Sequence, residues 1–401
     1  MRNRPSETER GVAWVNNFPP EDKRAAELLL NSLRVLSDVT FRATLTNLLA
    51  SLVRELPHPI GIYQVRELPN PDVEGFLPLA HPHAPLPGSE GAVGHIIRDV
   101  IGSRPDGTVA SSPQTLEDLR RIKARTLVLV DDYSGTGNRV AGYLDAWVRD
   151  PTMRSWFSYK LIKFHVVLHA VSVPALRALE RSPWVERVHF SEHAVEFSTA
   201  RWSTDEAAEI RELCTNHGFK KKLALGYQEA EGLWVMQHTV PNNLPMILWQ
   251  DRHKSNSAWR PFFADRKMSP EQQQELGDYR LETRAEEIAG SLRQPRLSHA
   301  LTDQPGATTR LLLLVLAAAA RGVRDVRRLS LLFSTPLASA EAAQQACIQL
   351  GLLDSVGRLT HEGQRELVSA RRRAPLSVPT RHLIGRDKPY YPWQLRGVED
   401  I

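Results

Sequence analysis

The stretch Leu127-Val128-Leu129-Val130-Asp131-Asp132-Tyr133-Ser134-Gly135-Thr136-Gly137-Asn138-Arg139 gathers the side chains with the clearest chemistry. An aliphatic run ends in two carboxylates, and a Gly-Thr-Gly turn then opens a helical segment. The unpaired N–H groups and partial positive charge of a helix N-terminus hold an anion such as a phosphate. Gly135 and Gly137 let the backbone approach that anion closely. The Ser134 and Thr136 hydroxyls can donate to its oxygens. Asp131 and Asp132, one sugar length away, suit the vicinal hydroxyls of a ribose, met directly or through Mg²⁺, which prefers oxygen ligands. Reaction at the anomeric carbon of such a sugar needs ribose and phosphate held rigidly while a leaving group departs. The competing reading is a strand-to-helix turn with incidental acids, since a Gly-rich turn alone is weak evidence.

The elements around this loop must place it at an edge. Residues 126–130 read as a strand buried on both faces. A helix is expected from about Arg139 to Trp147, strands over 161–170 and 184–190, and a helix over 173–181. Strand and helix alternating at this spacing predict a parallel sheet in an α/β domain, with loop 131–137 at its carboxyl edge, where ligands bind. Upstream, residues 20–54 read as helical, with Phe41, Leu45, Leu48, Leu49 and Leu52 on one face, and 60–65 as a short strand. Residues 67–88 are irregular and rich in Pro, Gly and His. Residues 92–101 can start a helix. Aromatic-rich residues 220–266 read as a closing strand and a loop packed over the domain.

A composition shift follows. Residues 267–305 are polar, contain Pro270, Pro295 and Pro305, and read as a linker. Helices over 311–320, 323–333 and 338–350, a hairpin around Gly357-Arg358-Leu359-Thr360 and a last helix resemble a winged helix-turn-helix over 306–376. The expected division is therefore a helical extension 1–58, the α/β domain 59–266, linker 267–305, winged helix 306–376 and tail 377–401. The winged-helix region carries ten Arg against five acidic residues. Its third helix, which would enter a nucleic-acid groove, presents Ser339, Glu341, Gln344, Gln345 and Gln349, so phosphate contact falls to flanking arginines such as Arg371-Arg372-Arg373 or gives way to protein contact.

The 401 residues are 42% hydrophobic and 24% charged, which suits packed domains rather than wholesale disorder. A net charge of +5 is mild and does not by itself imply nucleic acid. Cys214 and Cys347 lack metal-ligand spacing, so neither a zinc site nor a disulfide framework is expected. The polar N-terminus and short apolar runs predict neither signal peptide nor membrane span, hence a soluble, cytoplasmic protein.

The loop resembles the phosphoribosyl pyrophosphate motif of type I phosphoribosyltransferases: an aliphatic run, two acids, three variable residues and Thr-Gly. Arg139 stands where that motif has its last Thr. The resemblance implies a parallel-sheet type I phosphoribosyltransferase-like α/β domain, with Asp131 and Asp132 on the ribose and on Mg²⁺ and Tyr133, Ser134, Gly135, Thr136, Gly137, Asn138 and Arg139 around the 5′-phosphate. It also implies a pyrophosphate loop, for which Gly88-Ser89-Glu90-Gly91 is the candidate. No nucleobase hood of a salvage enzyme is recognisable. Trp14, "PIGIYQVRE", "VDDYSGTGN", "LALGYQEAEGL" and "VPNNLPMILW", in order over about 12–266, look like the phosphoribosyltransferase-like domain of bacterial conflict systems, including some beside retron reverse transcriptases. This implies an antiviral-defence effector whose partners are a nucleotide or phosphoribosyl ligand and a reverse transcriptase with its RNA or DNA. A ligand-sensing DNA-binding regulator and an inert scaffold remain as alternatives.

Other groups admit two readings. Asn242 and Asn243, between Pro241 and Pro245, can read a base edge or simply form a turn. His165 and His169 share a face of one strand and can bind metal or sit in the core; the same choice applies to His81 and His83 in their loop. Trp249 and Trp259 can stack a base or pack the core, and Lys220-Lys221-Lys222 reads as solvated charge.

Overall fold

The computed structural model describes residues 4–67, 89–103, 112, 113, 115–251, 259–276, 288–290, 292–294, 296, 297, 301, 307–333 and 335–373. His81, His83 and Gly88 lie outside them. Four parallel strands form the central sheet in the order β2-β3-β4-β5: β2 Ile60–Gln64, β3 Thr126–Ser134, β4 Lys163–Val171 and β5 Val185–His193. A second, two-stranded parallel sheet pairs β1 Arg34–Leu36 with β6 Trp234–Met236. β1 interrupts the span 20–54 read as helix, which divides into α2 Lys23–Asn31 and α3 Asp38–Glu55, preceded by α1 Glu9–Val15. Helix periodicity cannot reveal a three-residue strand whose partner lies 200 residues away.

Alternation along β3 explains the layering. Val128 and Val130 join a cluster with Phe41, Leu45 and Leu49 of α3 and Val93, Ile96 and Ile97 of α4 Ser89–Gly102. Leu127 and Leu129 face the other way, onto Leu119 of α5 Leu116–Ile122, Val140, Leu144 and Trp147 of α6 Asn138–Arg149, Met153 of α7 Pro151–Ser158 and Leu176 of α8 Val173–Glu180. Both faces are thus covered, as a parallel sheet requires. Helix starts are written locally. Ser37, Thr115, Asp150 and Ser172 each accept a hydrogen bond from an N–H of the following first turn, and Ser203 opens α9 Thr204–His217 with a reciprocal bond to Glu206.

After α10 Pro270–Glu275 come α11 Ala307–Ala319, α12 Val326–Phe333, α13 Leu337–Gln349 and α14 His361–Arg373. An antiparallel bridge between Leu353 and Leu359 forms the small hairpin. Ile288, Ala289, Leu292, Leu297 and Leu301, read as linker, belong to this domain's core with Leu314, Leu316, Phe333 and Cys347. Their apolar residues are too sparse among polar ones to show a period, so composition hid them. α12 and α13 pack against β5, an outer strand of the sheet. Leu337 joins the cluster under that face, Arg201 donates to the Leu332 carbonyl at 2.6 Å, and Arg327 pairs with Glu180 at 3.3 Å. Among the described residues no helix is long and apolar enough to cross a membrane.

Candidate functional site

A cleft of about 570 Å³ opens at the carboxyl end of β3. Its floor is the loop from Tyr133 to Arg139, with Asp132 at the back. Gly137 takes φ +84°, a left-handed conformation natural to glycine, and caps α6 with no side-chain bond to the first turn. No acidic side chain lies in that turn. The Asn138 N–H donates to Thr136 Oγ1 only at 3.4 Å, so the start of the helix is weakly capped where it meets the cleft, an arrangement that favours an anion. Ser172 pins the loop from below: its N–H donates to the Ser134 carbonyl at 3.0 Å and its hydroxyl donates to Gly135 O.

Residues 227–243 and Arg266 form the roof. Tyr227, Met236, Thr239, Pro241, Asn242, Asn243 and Arg266 line it, and Arg66 and Glu67 close the side beyond β2. The segment read as a loop packed over the domain supplies this cover. Asn138 Nδ2 donates to Gln228 Oε1 at 2.8 Å and so joins floor to roof. The Asn243 amide lies over Gly135, where any Cβ would overlap it, and its Nδ2 is buried with no hydrogen-bond acceptor among the described residues. Both asparagines therefore reach the cleft. Trp259 instead packs on Phe18 at 5.5 Å, and Trp249 donates to the Leu244 carbonyl at 3.2 Å. His165 lies 3.0 Å from His189, while His169 is buried between Phe41 and Trp234. Lys220, Lys221 and Lys222 are exposed.

The acid pair is arranged differently from expectation. Asp131 and Asp132 are 3% and 2% exposed, inside the strand's hydrogen-bonded run rather than beyond it, and only Asp132 lines the cleft. Arg139 does not face a vacant phosphate position. Its Nε donates to Asp131 Oδ2 at 3.1 Å, and its Nη2 donates to Asp131 Oδ1 and, at 3.0 Å, to Asp132 Oδ1. Asp132 Oδ2 faces His238 Nε2 at 3.4 Å, and His238 Nδ1 faces Asp38 Oδ1 at 2.7 Å. Register explains this relay. Leu36 pairs with Met236, and two residues beyond each stand Asp38 and His238. Neither residue stands out in the sequence, because each is ordinary until β1 and β6 meet.

These contacts set the charges. Burial acts to raise Asp132, but the His238 hydrogen bond and the Arg139 charge outweigh it and hold its carboxyl below the usual range. Burial lifts Asp131 well above its ordinary value; Arg139 pulls against that and the Asp132 charge adds to it. Burial would lower His238, yet Asp132 and Asp38 on its two nitrogens raise it, favouring the imidazolium. Tyr133 is buried in the core, which pushes its phenol up and keeps it neutral. Behind it, burial raises Glu196 to about 7.

As arranged, the pair does not fit a directly bound Mg²⁺. All four carboxylate oxygens already accept from cationic or backbone donors. No group of three or more metal-ligating side chains gathers among the described residues. The proposed pyrophosphate turn also differs: Ser89, Glu90 and Gly91 form the first turn of α4 instead of a loop. The helical pattern evident from residue 92 simply begins earlier.

A parallel sheet covered on both faces, with a glycine loop at a helix N-terminus beyond β3, defines a phosphoribosyltransferase-like α/β domain, here joined to a C-terminal winged helix. The chain belongs to the PRTase-CE family, which it matches over residues 12–264. Residues 313–397 match a second family, described as wHTH-PRTase associated. No curated protein and no solved structure matches the chain.

Proposed function

We propose that the cleft binds a phosphoribosyl compound or nucleotide, as part of an antiviral-defence effector of the kind found beside retron reverse transcriptases. One observation carries the ligand class: the weakly capped N-terminus of α6, with Ser134, Gly135, Thr136, Gly137 and Asn138 leading into it, opens onto a roofed cleft that also contains Asp132. In this reading the 5′-phosphate sits on the loop N–H groups, the ribose hydroxyls turn toward Asp132, and Asn242 and Asn243 face the base or leaving group. Mg²⁺, expected from the motif, would meet carboxylate oxygens on Asp131 and Asp132 that already accept hydrogen bonds. The defence setting rests on the sequence resemblance, and the gene neighbourhood tests it. Calorimetry with ribose 5-phosphate, and mass spectrometry of nucleotides before and after incubation with the protein, test the ligand. Binding is expected to weaken by about tenfold or more in Asp132→Asn, the loss of a charge-assisted hydrogen bond of ~1.5–3 kcal/mol. Undiminished binding in both Asp131→Asn and Asp132→Asn would overturn it.

The arginine excess of the winged helix favours a second reading, a ligand-sensing regulator that contacts nucleic acid. A regulator binds duplex DNA with steep salt dependence and consumes no nucleotide, whereas an effector changes the nucleotide pool.

A further inference from the structure

We infer that Arg139 occupies, from within the fold, the place a divalent cation would take at the acid pair, and that the cleft therefore binds its sugar phosphate without metal. The inference rests on the sugar-phosphate reading of the cleft for its ligand, but not for its statement about the cation.

Two carboxylates buried side by side cannot both stay charged without compensation, because each has lost its hydration and repels the other. A metal-dependent site meets that need with an ion and leaves carboxylate oxygens turned outward for it, since Mg²⁺ needs near-octahedral oxygen ligands. Here the compensation is covalently attached. Arg139 is the second residue of α6, so its Cα is fixed by the helix whose N-terminus floors the cleft. Its planar fork reaches back across the loop and bridges both acids, a geometry that guanidinium provides and ammonium does not. His238 takes the remaining oxygen of Asp132 and is itself held by Asp38. Asp131 is turned away from the cleft, leaving Asp132 and the Arg139 side chain on its wall. The cleft thus presents the loop at the start of α6, the arginines Arg66, Arg139 and Arg266, and the acids Asp132 and Glu67. That set recognises a phosphate monoester with an adjacent diol, and it does not need a metal–diphosphate complex.

The test uses Mn²⁺ as probe, followed by electron paramagnetic resonance on the full chain. Wild-type protein is expected to leave equimolar Mn²⁺ free in solution. Arg139→Thr, which restores the usual motif residue, and Arg139→Ala are expected to bind one Mn²⁺ per chain, and adding Asp132→Asn is expected to abolish it. Circular dichroism and urea unfolding of Arg139→Thr and Arg139→Ala show that each variant is folded before its Mn²⁺ binding is read. One Mn²⁺ bound to the wild type and lost in Asp132→Asn would overturn the inference, as would folded Arg139→Thr and Arg139→Ala variants that bind none. Ribose 5-phosphate titrations in EDTA and in Mg²⁺ separate the two claims. Equal affinity supports the inference, and binding only with Mg²⁺ overturns it. No binding in either buffer overturns the sugar-phosphate reading, and the Mn²⁺ result then decides the role of Arg139 alone.

Discussion

Glu196 sits 5% exposed just beyond β5, with Ser198 Oγ 3.4 Å from its carboxylate. Burial raises it from 4.5 to about 7, partly offset by bonds from Ser172 and Ser198. The folded state therefore holds this proton more tightly than the unfolded chain. Its stabilising contribution is fully present below about 4.5 and is lost as pH rises through about 7. Urea midpoints at pH 5 and pH 8 should show wild type losing stability over that interval and Glu196→Gln losing less of it. A second residue-scale prediction concerns Gly135. A methyl there would overlap the Asn243 amide. Gly135→Ala should lower stability by ~1–3 kcal/mol, the usual cost of overpacking, and weaken ligand binding by lifting the roof. Asn243→Ala in the same chain should restore part of the stability, measured by denaturant unfolding.

Among elements, the loop depends on its anchor. Ser172 caps α8 through Ala175 N at 2.9 Å and also holds the Ser134 and Gly135 carbonyls. Ser172→Ala should cost ~1 kcal/mol from the lost cap and raise amide exchange selectively over residues 134–138. Elements of this kind were legible in advance. Strands β3 and β4 stand out as apolar runs, and the alternation of strand and helix at this spacing places β5 and the helices between them. The extension of β3 through Ser134 was not legible, because the two acids interrupt its apolar pattern while the backbone of Asp131, Tyr133 and Ser134 still pairs with Leu168, Ala170 and Val171 of β4. Nor were β1 and β6. Three apolar residues carry no period, and only their pairing brings Asp38 to His238. Arg139 was noticed as a departure from a motif, but its partners were expected on a ligand and proved to be the motif's own acids. The chemistry of the loop was readable from types and spacing; its charge balance depended on contacts made in space.

At the scale of the whole molecule, the winged helix is seated on the sheet. Leu337, the first residue of α13, packs on the β-domain cluster, and Arg201 donates to Leu332 O beside it. Leu337→Asp should leave each core folded yet loosen the seat. Hydrogen exchange along β5 is the readout, with increased exchange over 188–193 expected and unchanged exchange arguing that the seat carries no energy. The position of that seat has a consequence for solubility. An outer strand is a row of hydrogen-bonding groups ready to pair with another chain, and proteins commonly cover such a row. α12 and α13 lie against β5. A chain shortened to end at residue 276, before the core residues of the C-terminal domain begin, would bare this side of the sheet while keeping the cleft. Such a fragment should stay able to bind ligand when dilute and self-associate as its concentration rises. The appended domain would then act as a shield against edge-to-edge aggregation, whatever else it contacts.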